Sequence, residues 1–203
     1  MTRSPALATP ASNSFLDCLN FREVTDANWS DFEKLFESRG GPKSCWCMVW
    51  RATPAEAKHP DGASRKSALQ QRIHTGTTIG ILGYLDNEPV AWCSIAPRSS
   101  YRRLVTITET NAPEEYIWSL ACFFVIRRLR GHGITQPLIA AAVKFAQSRG
   151  ATIIEAYPVD HDSPSYRFMG FVPTFELAGF HEIGRAGNRR HVFRLDLKEA
   201  AEH

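Results

Sequence analysis

The 203-residue sequence contains no run approaching the ~20 apolar residues that a membrane-spanning helix needs, so no bilayer crossing is expected. It is also short of excess charge. With 24 Lys and Arg against 21 Asp and Glu the formal net charge is +3, too little for the concentrated basic face of a nucleic-acid binder. Cysteine occurs five times, an odd number without regular disulfide spacing, which fits a reducing interior and makes the cytoplasm the expected compartment. No internal repeat is visible. Met1 to Asn13 is rich in Ala, Ser, Thr and Pro and lacks the apolar stretch of a signal peptide, so residues 1–14 are expected to form a disordered tail. Residues 15–203 are expected to form one domain. At 43% hydrophobic content, a chain of this length removes roughly 70% of its unfolded surface from water.

Against these absences stands one dense motif, Arg130-Gly131-His132-Gly133-Ile134-Thr135. It lies between the apolar run Leu120 to Ile126 and an apolar-periodic segment closed by Gly150. A strand, a glycine-bearing turn and a helix start, in that order, leave backbone amides without carbonyl partners and so form a cradle for an anion such as pyrophosphate. Ile134, Leu138, Ala141, Ala142 and Phe145 recur at helical spacing, and Gly150 supplies a left-handed stop. Pro137 falls in the first turn, where a missing N–H costs nothing. Two familiar phosphate loops do not fit. A Walker loop needs a lysine directly after its second glycine, and none follows Gly133 before Lys144; a dinucleotide fingerprint needs a third glycine where Gln136 stands.

Val125 to Thr135 instead resembles the acetyl-CoA signature of the GNAT N-acetyltransferase superfamily: Arg or Gln, two residues, Gly, one residue, then Gly or Ala. Arg130, Gly133 and Thr135 take the defined places, Thr135 replacing the usual small residue. Thr174 to Phe180 resembles the second signature, a short helix that carries an aromatic residue and ends in Gly-Phe. Phe175 stands where the family often has the tyrosine that protonates the departing CoA thiolate. A second-ranked register uses Tyr166 with Gly170-Phe171; it restores the tyrosine and leaves Gly179-Phe180 unexplained.

The order of elements agrees with this resemblance. Cys18 to Val24 reads as a strand, Asp26 to Ser38 and Gly62 to His74 as helices, and Thr78 to Leu85 and Val90 to Ile95 as strands joined by Asp86-Asn87-Glu88-Pro89. The strand Trp118 to Ile126, the long helix, the strand Thr152 to Tyr157, the helix Pro173 to Ala178 and a closing pair near Phe180 to Gly184 and His191 to Leu197 follow. The resemblance covers about Phe15 to Leu197 and implies an α/β GNAT fold. That fold is a central mixed, twisted sheet of about seven strands flanked by helices, with strands 4 and 5 splayed around acetyl-CoA as cosubstrate. The resemblance further assigns cofactor contacts to Phe123, Phe124, Val125, Arg130, Gly131, His132, Gly133, Ile134, Thr135 and Phe175.

Ser44 to Arg51 lies where the family usually covers its acceptor pocket. Two thiols, two tryptophans and a methionine between Cys45 and Trp50 need burial. Cys45, Trp46 and Trp50 are the candidate acceptor-binding residues, with core packing as the competing reading. Together with Tyr157-Pro158-Val159-Asp160, the Cys-Trp-Cys-Met string resembles a bacterial acetyltransferase subgroup. One residue between Cys45 and Cys47 is tighter than structural zinc spacing, so no metal is expected. An attacking amine must lose a proton. Asp160 and His161, just past the fifth strand, are the first candidates for base or relay, ahead of Glu109, Glu114 and Glu115; Cys122 reads as a small buried hydrophobe.

These readings predict an N-acetyltransferase that moves an acetyl group from acetyl-CoA, by direct attack, to a small-molecule amine or a protein amine. Homodimerisation is left open. A catalytically degenerate CoA-binding module and a zinc-stabilised interaction protein are the alternatives.

Overall fold

The structure, a computed structural model, describes residues 15–104 and 112–197. The apolar stretches become strands β1 (Asn20–Glu23), β2 (Ile81–Leu85), β3 (Glu88–Pro97), β4 (Ile117–Val125), β5 (Ile153–Ala156), β6 (His181–Ala186) and β7 (Arg190–Asp196). Helices α1 (Trp29–Glu37) and α2 (Gly62–His74) lie between β1 and β2, α3 (Thr135–Ser148) between β4 and β5, and α4 (Val172–Leu177) before β6. The strands form one open, mixed, seven-stranded sheet in the order β1-β2-β3-β4-β5-β7-β6. Its β4–β5 pair is parallel and the other pairs are antiparallel.

Local chemistry explains the joints. Asp86 and Asn87 supply the two positive φ values, 50° and 62°, that a tight hairpin demands. Pro89, expected in that turn, instead pairs with Tyr84 inside β3. Asp61 caps α2 by accepting the Ser64 amide at 2.9 Å. After α3, Gly150 takes a φ of 86° and the Ala151 amide reaches back to the Ala146 carbonyl at 3.0 Å, closing the helix.

Helices cover both faces of the sheet, so β3 is buried continuously from Pro89 to Ala96. On one face Phe32, Leu35, Phe36, Leu69 and Ile73 pack on Leu82 and Trp92. On the other, Leu138, Ile139, Ala142 and Ala146 of α3, with Ile134 just ahead, pack on Ala91, Cys93 and Ile95. Ala141 and Phe145, expected in the α3 stripe, lie at its half-buried margin because the contact line follows the i, i+4, i+8 row from Ile134.

The centre of the sheet splits. β4 pairs with β5 from Ile117↔Ile153 to Leu120↔Ala156; β5 then stops, while β4 continues to Val125. At the same level β4 carries a bulge against β3, since Ser94 faces Cys122 and Ile95 faces Leu120. The extra residue, Ala121, resets the alternation. Trp118, Leu120, Phe123 and Val125 therefore turn toward α3, and Cys122 and Phe124 toward α1 and α2. Below the split, fully buried Glu155 is held by Arg98 and Arg194, each at 3.0 Å, and by the Tyr157 hydroxyl at 3.2 Å.

Candidate functional site

Two hollows flank the part of β4 that β5 leaves. The first, 390 Å³ in volume, is walled by Val125, the loop residues Leu129 to Gly131, Gly133 to Gln136 at the start of α3, and Phe171 and Thr174 near α4. Gln136 ties its two helices together by donating to the Thr174 carbonyl at 2.8 Å. The amides of residues 131 to 135 find no acceptor among the described residues, and no side chain caps α3. Gly131 and Gly133 adopt φ values of 79° and 81°. A Cβ at Gly131 would meet nothing within 4 Å, and at Gly133 only the Leu16 side chain at 3.8 Å. Open space thus faces unpartnered N–H groups at the positive end of a 14-residue helix, which suits a phosphate. Arg127, Arg128, Arg130 and His132 are exposed around it. Arg130 also braces the loop, because its Nε donates to the Val125 carbonyl at 2.8 Å and its guanidinium lies 5.6 Å over the Phe124 ring.

The second hollow, 360 Å³ in volume, lies on the α1/α2 side of β4. Ala121 to Phe124 form one wall, Cys45, Cys47, Val49 and Trp50 the facing one, and Ser94, Tyr101, Tyr166 and Phe168 complete it. None of the lining residues is Asp, Glu, His, Lys or Arg. Cys45 and Trp50, candidate acceptor-binding residues, line this hollow. Trp46 does not. It is 2% exposed and wedged among Trp29, Phe32 and Phe36, ring centroids 5.3 to 6.1 Å away, because a left-handed turn at Trp46 and Cys47 (φ 46° and 53°) sends the indole into the core. A third hollow of 510 Å³, between the Met48–Thr75 region and α2, does not touch β4.

The aromatic signatures are sorted by burial. Phe175 falls in α4, as the first register expects, but is fully buried, packed on Phe123 and Phe180 at 5.9 and 5.3 Å. Tyr166, from the second register, has an exposed ring in the wall of the apolar cavity, and its hydroxyl has no partner among the described residues.

Asp160 and His161 do not act as a pair. Asp160 Oδ1 lies 3.1 Å from Nε2 of His191 in β7, and the other ring nitrogen of His191 lies 2.9 Å from Glu182 Oε1. His161 stacks on Phe171, centroids 4.8 Å apart. Neither lines a hollow described above. Glu114 is held by Arg98, which keeps its carboxyl below the usual range, and Glu109 lies outside the described residues. Sequence reasoning missed His191, an isolated histidine in a strand, and Arg51, whose burial no local pattern announces.

Cys47 is the unusual thiol. Its Sγ accepts the Trp92 indole N–H at 3.0 Å. A bond from the Cys122 thiol, the indole N–H and the Arg51 charge hold Cys47 below the ordinary thiol range against the opposing effect of burial. Cys122 is pushed well up by the same shared bond and by burial, and Cys45 is raised to about 11, mainly by burial. Among the described residues no group of three or more His, Cys, Asp or Glu is arranged to hold a metal ion, and no helix is long and apolar enough to cross a membrane.

No curated protein matches the chain. Solved structures do. The aminoglycoside acetyltransferase AAC(6')-Ib, in complex with paromomycin and acetyl-CoA, is 14% identical with a TM-score of 0.61, covering 92% of this chain and 97% of its own. A Bacillus halodurans protein of uncharacterised role is 13% identical with a TM-score of 0.57 over 89% of this chain and 84% of its own. The Salmonella typhimurium protein yncA, in a structure with its cofactor acetyl-CoA, is 12% identical with a TM-score of 0.53 over 92% of this chain and 96% of its own. These likenesses show the fold. The model of the Acetyltransferase (GNAT) family matches residues 24–171, ending at the Gly170-Phe171 pair, and by that match across most of its length the chain belongs to the GNAT acetyltransferase family.

Proposed function

We propose that the protein transfers an acetyl group from acetyl-CoA to an amine with an apolar or aromatic body. The observation that carries this reading is that one strand segment, Ala121–Val125, paired with β3 but past the last β5 partner, walls both hollows, Val125 the first and Ala121 to Phe124 the second. An anion cradle on one side and an apolar cavity on the other bring a CoA thioester and an acceptor to the same backbone. The pyrophosphate rests on the amides of residues 131 to 135. A β4 amide beyond the last β5 pair polarises the acetyl carbonyl. The amine attacks directly, in a complex that holds both reactants. Tyr166, exposed in the cavity wall, gives the leaving thiolate its proton.

The cavity also speaks to the acceptor. With no carboxylate in its lining it offers nothing to a polycation, and an apolar wall disfavours an ammonium. The amine therefore enters as free base. A panel of primary amines with CoA release as readout tests the proposal. Arylalkyl and aryl amines are expected to be turned over, at rates rising with pH up to each amine's own pKa, and aminoglycosides are expected to fail. CoA release unchanged by every amine would refute it.

A further inference from the structure

Cys47 combines features that a buried structural cysteine does not need. It lines the apolar cavity although only 5% exposed, and its sulfur accepts the Trp92 indole N–H at 3.0 Å. Behind it lies Arg51, only 3% exposed. Arg51 donates solely to neutral acceptors: the Ile79 carbonyl and the hydroxyls of Ser94, Ser100 and Tyr101, at 2.7 to 3.2 Å. Its Nε is buried without a partner, and none of the guanidinium's partners among the described residues is a carboxylate. A buried cation calls for a nearby anion. The groups facing Cys47 are Cys45 and Arg51 from its own segment, Cys93 and Trp92 from β3, Tyr101 beyond β3, and Cys122 from β4. Cys45, Cys93 and Tyr101 are pushed up mainly by burial, and Cys122 first by its neighbour Cys47 and then by burial. Of these groups Cys47 alone is lowered, so it is the one best placed to hold the negative charge beside Arg51.

We propose that Cys47 is a thiolate and a second acyl acceptor, which takes the acetyl group from acetyl-CoA when no amine occupies the cavity. The inference rests on the acetyl-CoA reading above. The facing wall, Ala121 to Phe124, is the β4 segment against which the thioester lies. The Cys47 sulfur adds to the acetyl carbonyl, and a new carbon–sulfur bond forms. The bond to CoA sulfur breaks, and CoA leaves with the electron pair and takes a proton from Tyr166 or water. No base is needed and nothing is oxidised, because one thiolate replaces another. An amine already in the cavity intercepts the same carbonyl and keeps Cys47 unmodified.

The test is incubation of the full chain with acetyl-CoA and no amine, acid quenching and tandem mass spectrometry. One hydroxylamine-labile acetyl group on Cys47 is expected; it is lost in Cys47→Ser, kept in Cys45→Ser, and suppressed by an amine that the enzyme turns over. If Cys47→Ser fails to fold, the position of the adduct on the wild-type chain decides. In a second arm without CoA, iodoacetamide at pH 6 is expected to label Cys47 roughly ten times faster than Cys45. Acetyl-CoA bound calorimetrically with Cys47 unacetylated, or an adduct on another residue, overturns the acyl step while leaving amine transfer standing. Absence of acetyl-CoA binding removes the amine reading and the acyl step together. Equal alkylation of Cys45 and Cys47 overturns the thiolate.

Discussion

The two hollows beside β4 are built from opposite materials. The anion cleft is made of backbone: amides from five consecutive residues, glycines at positive φ, and a helix terminus. The apolar cavity is made of side chains from segments far apart in the chain, near residues 45, 94, 122 and 166. The first needs only a short contiguous string to exist, so changing one backbone conformation removes it. The second is a meeting place, and its members can be core or wall depending on a single turn.

That difference predicts which substitutions damage which function. The largest effect belongs to a residue that is wall by sequence and core by structure. Trp46→Ala is expected to cost about 3 to 5 kcal/mol of stability, read as a lower melting temperature, while the folded fraction keeps its acceptor KM. A raised KM with unchanged melting would move Trp46 back into the cavity. Tyr166→Phe follows, with kcat expected to fall about a hundredfold and acetyl-CoA affinity held. An unchanged kcat would return the proton donor to water. Trp50→Ala, in the cavity wall itself, is expected to raise the acceptor KM roughly tenfold without weakening acetyl-CoA. Phe175→Tyr has the smallest effect on turnover. Its ring is sealed from both hollows, so turnover should stay within about twofold, and a buried hydroxyl without a partner should lower stability by about 1 to 3 kcal/mol.

Legibility in the sequence followed the same division. The helix Gly62 to His74 was readable to the residue, because an Asp cap and a glycine start mark it locally. The glycine turn and helix start at Arg130 to Thr135 were readable because that string carries its own geometry, positive φ at two glycines followed by a helix. The split between β4 and β5 came with the resemblance, and the bulge at Ala121 that turns Cys122 and Phe124 toward the cavity left no mark. Cys45 and Trp50 were named from the place the resemblance gives their segment and from its aromatic, sulfur-rich composition. Their neighbour Trp46 was misplaced because the left-handed pair Trp46–Cys47 breaks the alternation that composition cannot see. The candidate base Asp160 was paired with the adjacent His161, whereas strand pairing brings His191 to it from 31 residues away. Tyr166 was ranked behind Phe175 because its register left Gly179-Phe180 unexplained. In the structure Tyr166 is exposed in the cavity wall and Phe175 is fully buried.

The most direct test of this account is a calorimetric titration of acetyl-CoA into the wild-type chain and into Gly133→Val. Gly133 has open space around its Cβ position, so the substitution strains a φ of 81° and fills the phosphate approach without striking the core. The wild-type chain is expected to bind one acetyl-CoA, and the folded variant to bind it at least roughly tenfold more weakly. Equal affinity in two equally folded proteins would contradict the cradle, and with it the assignment of the cofactor to this side of β4.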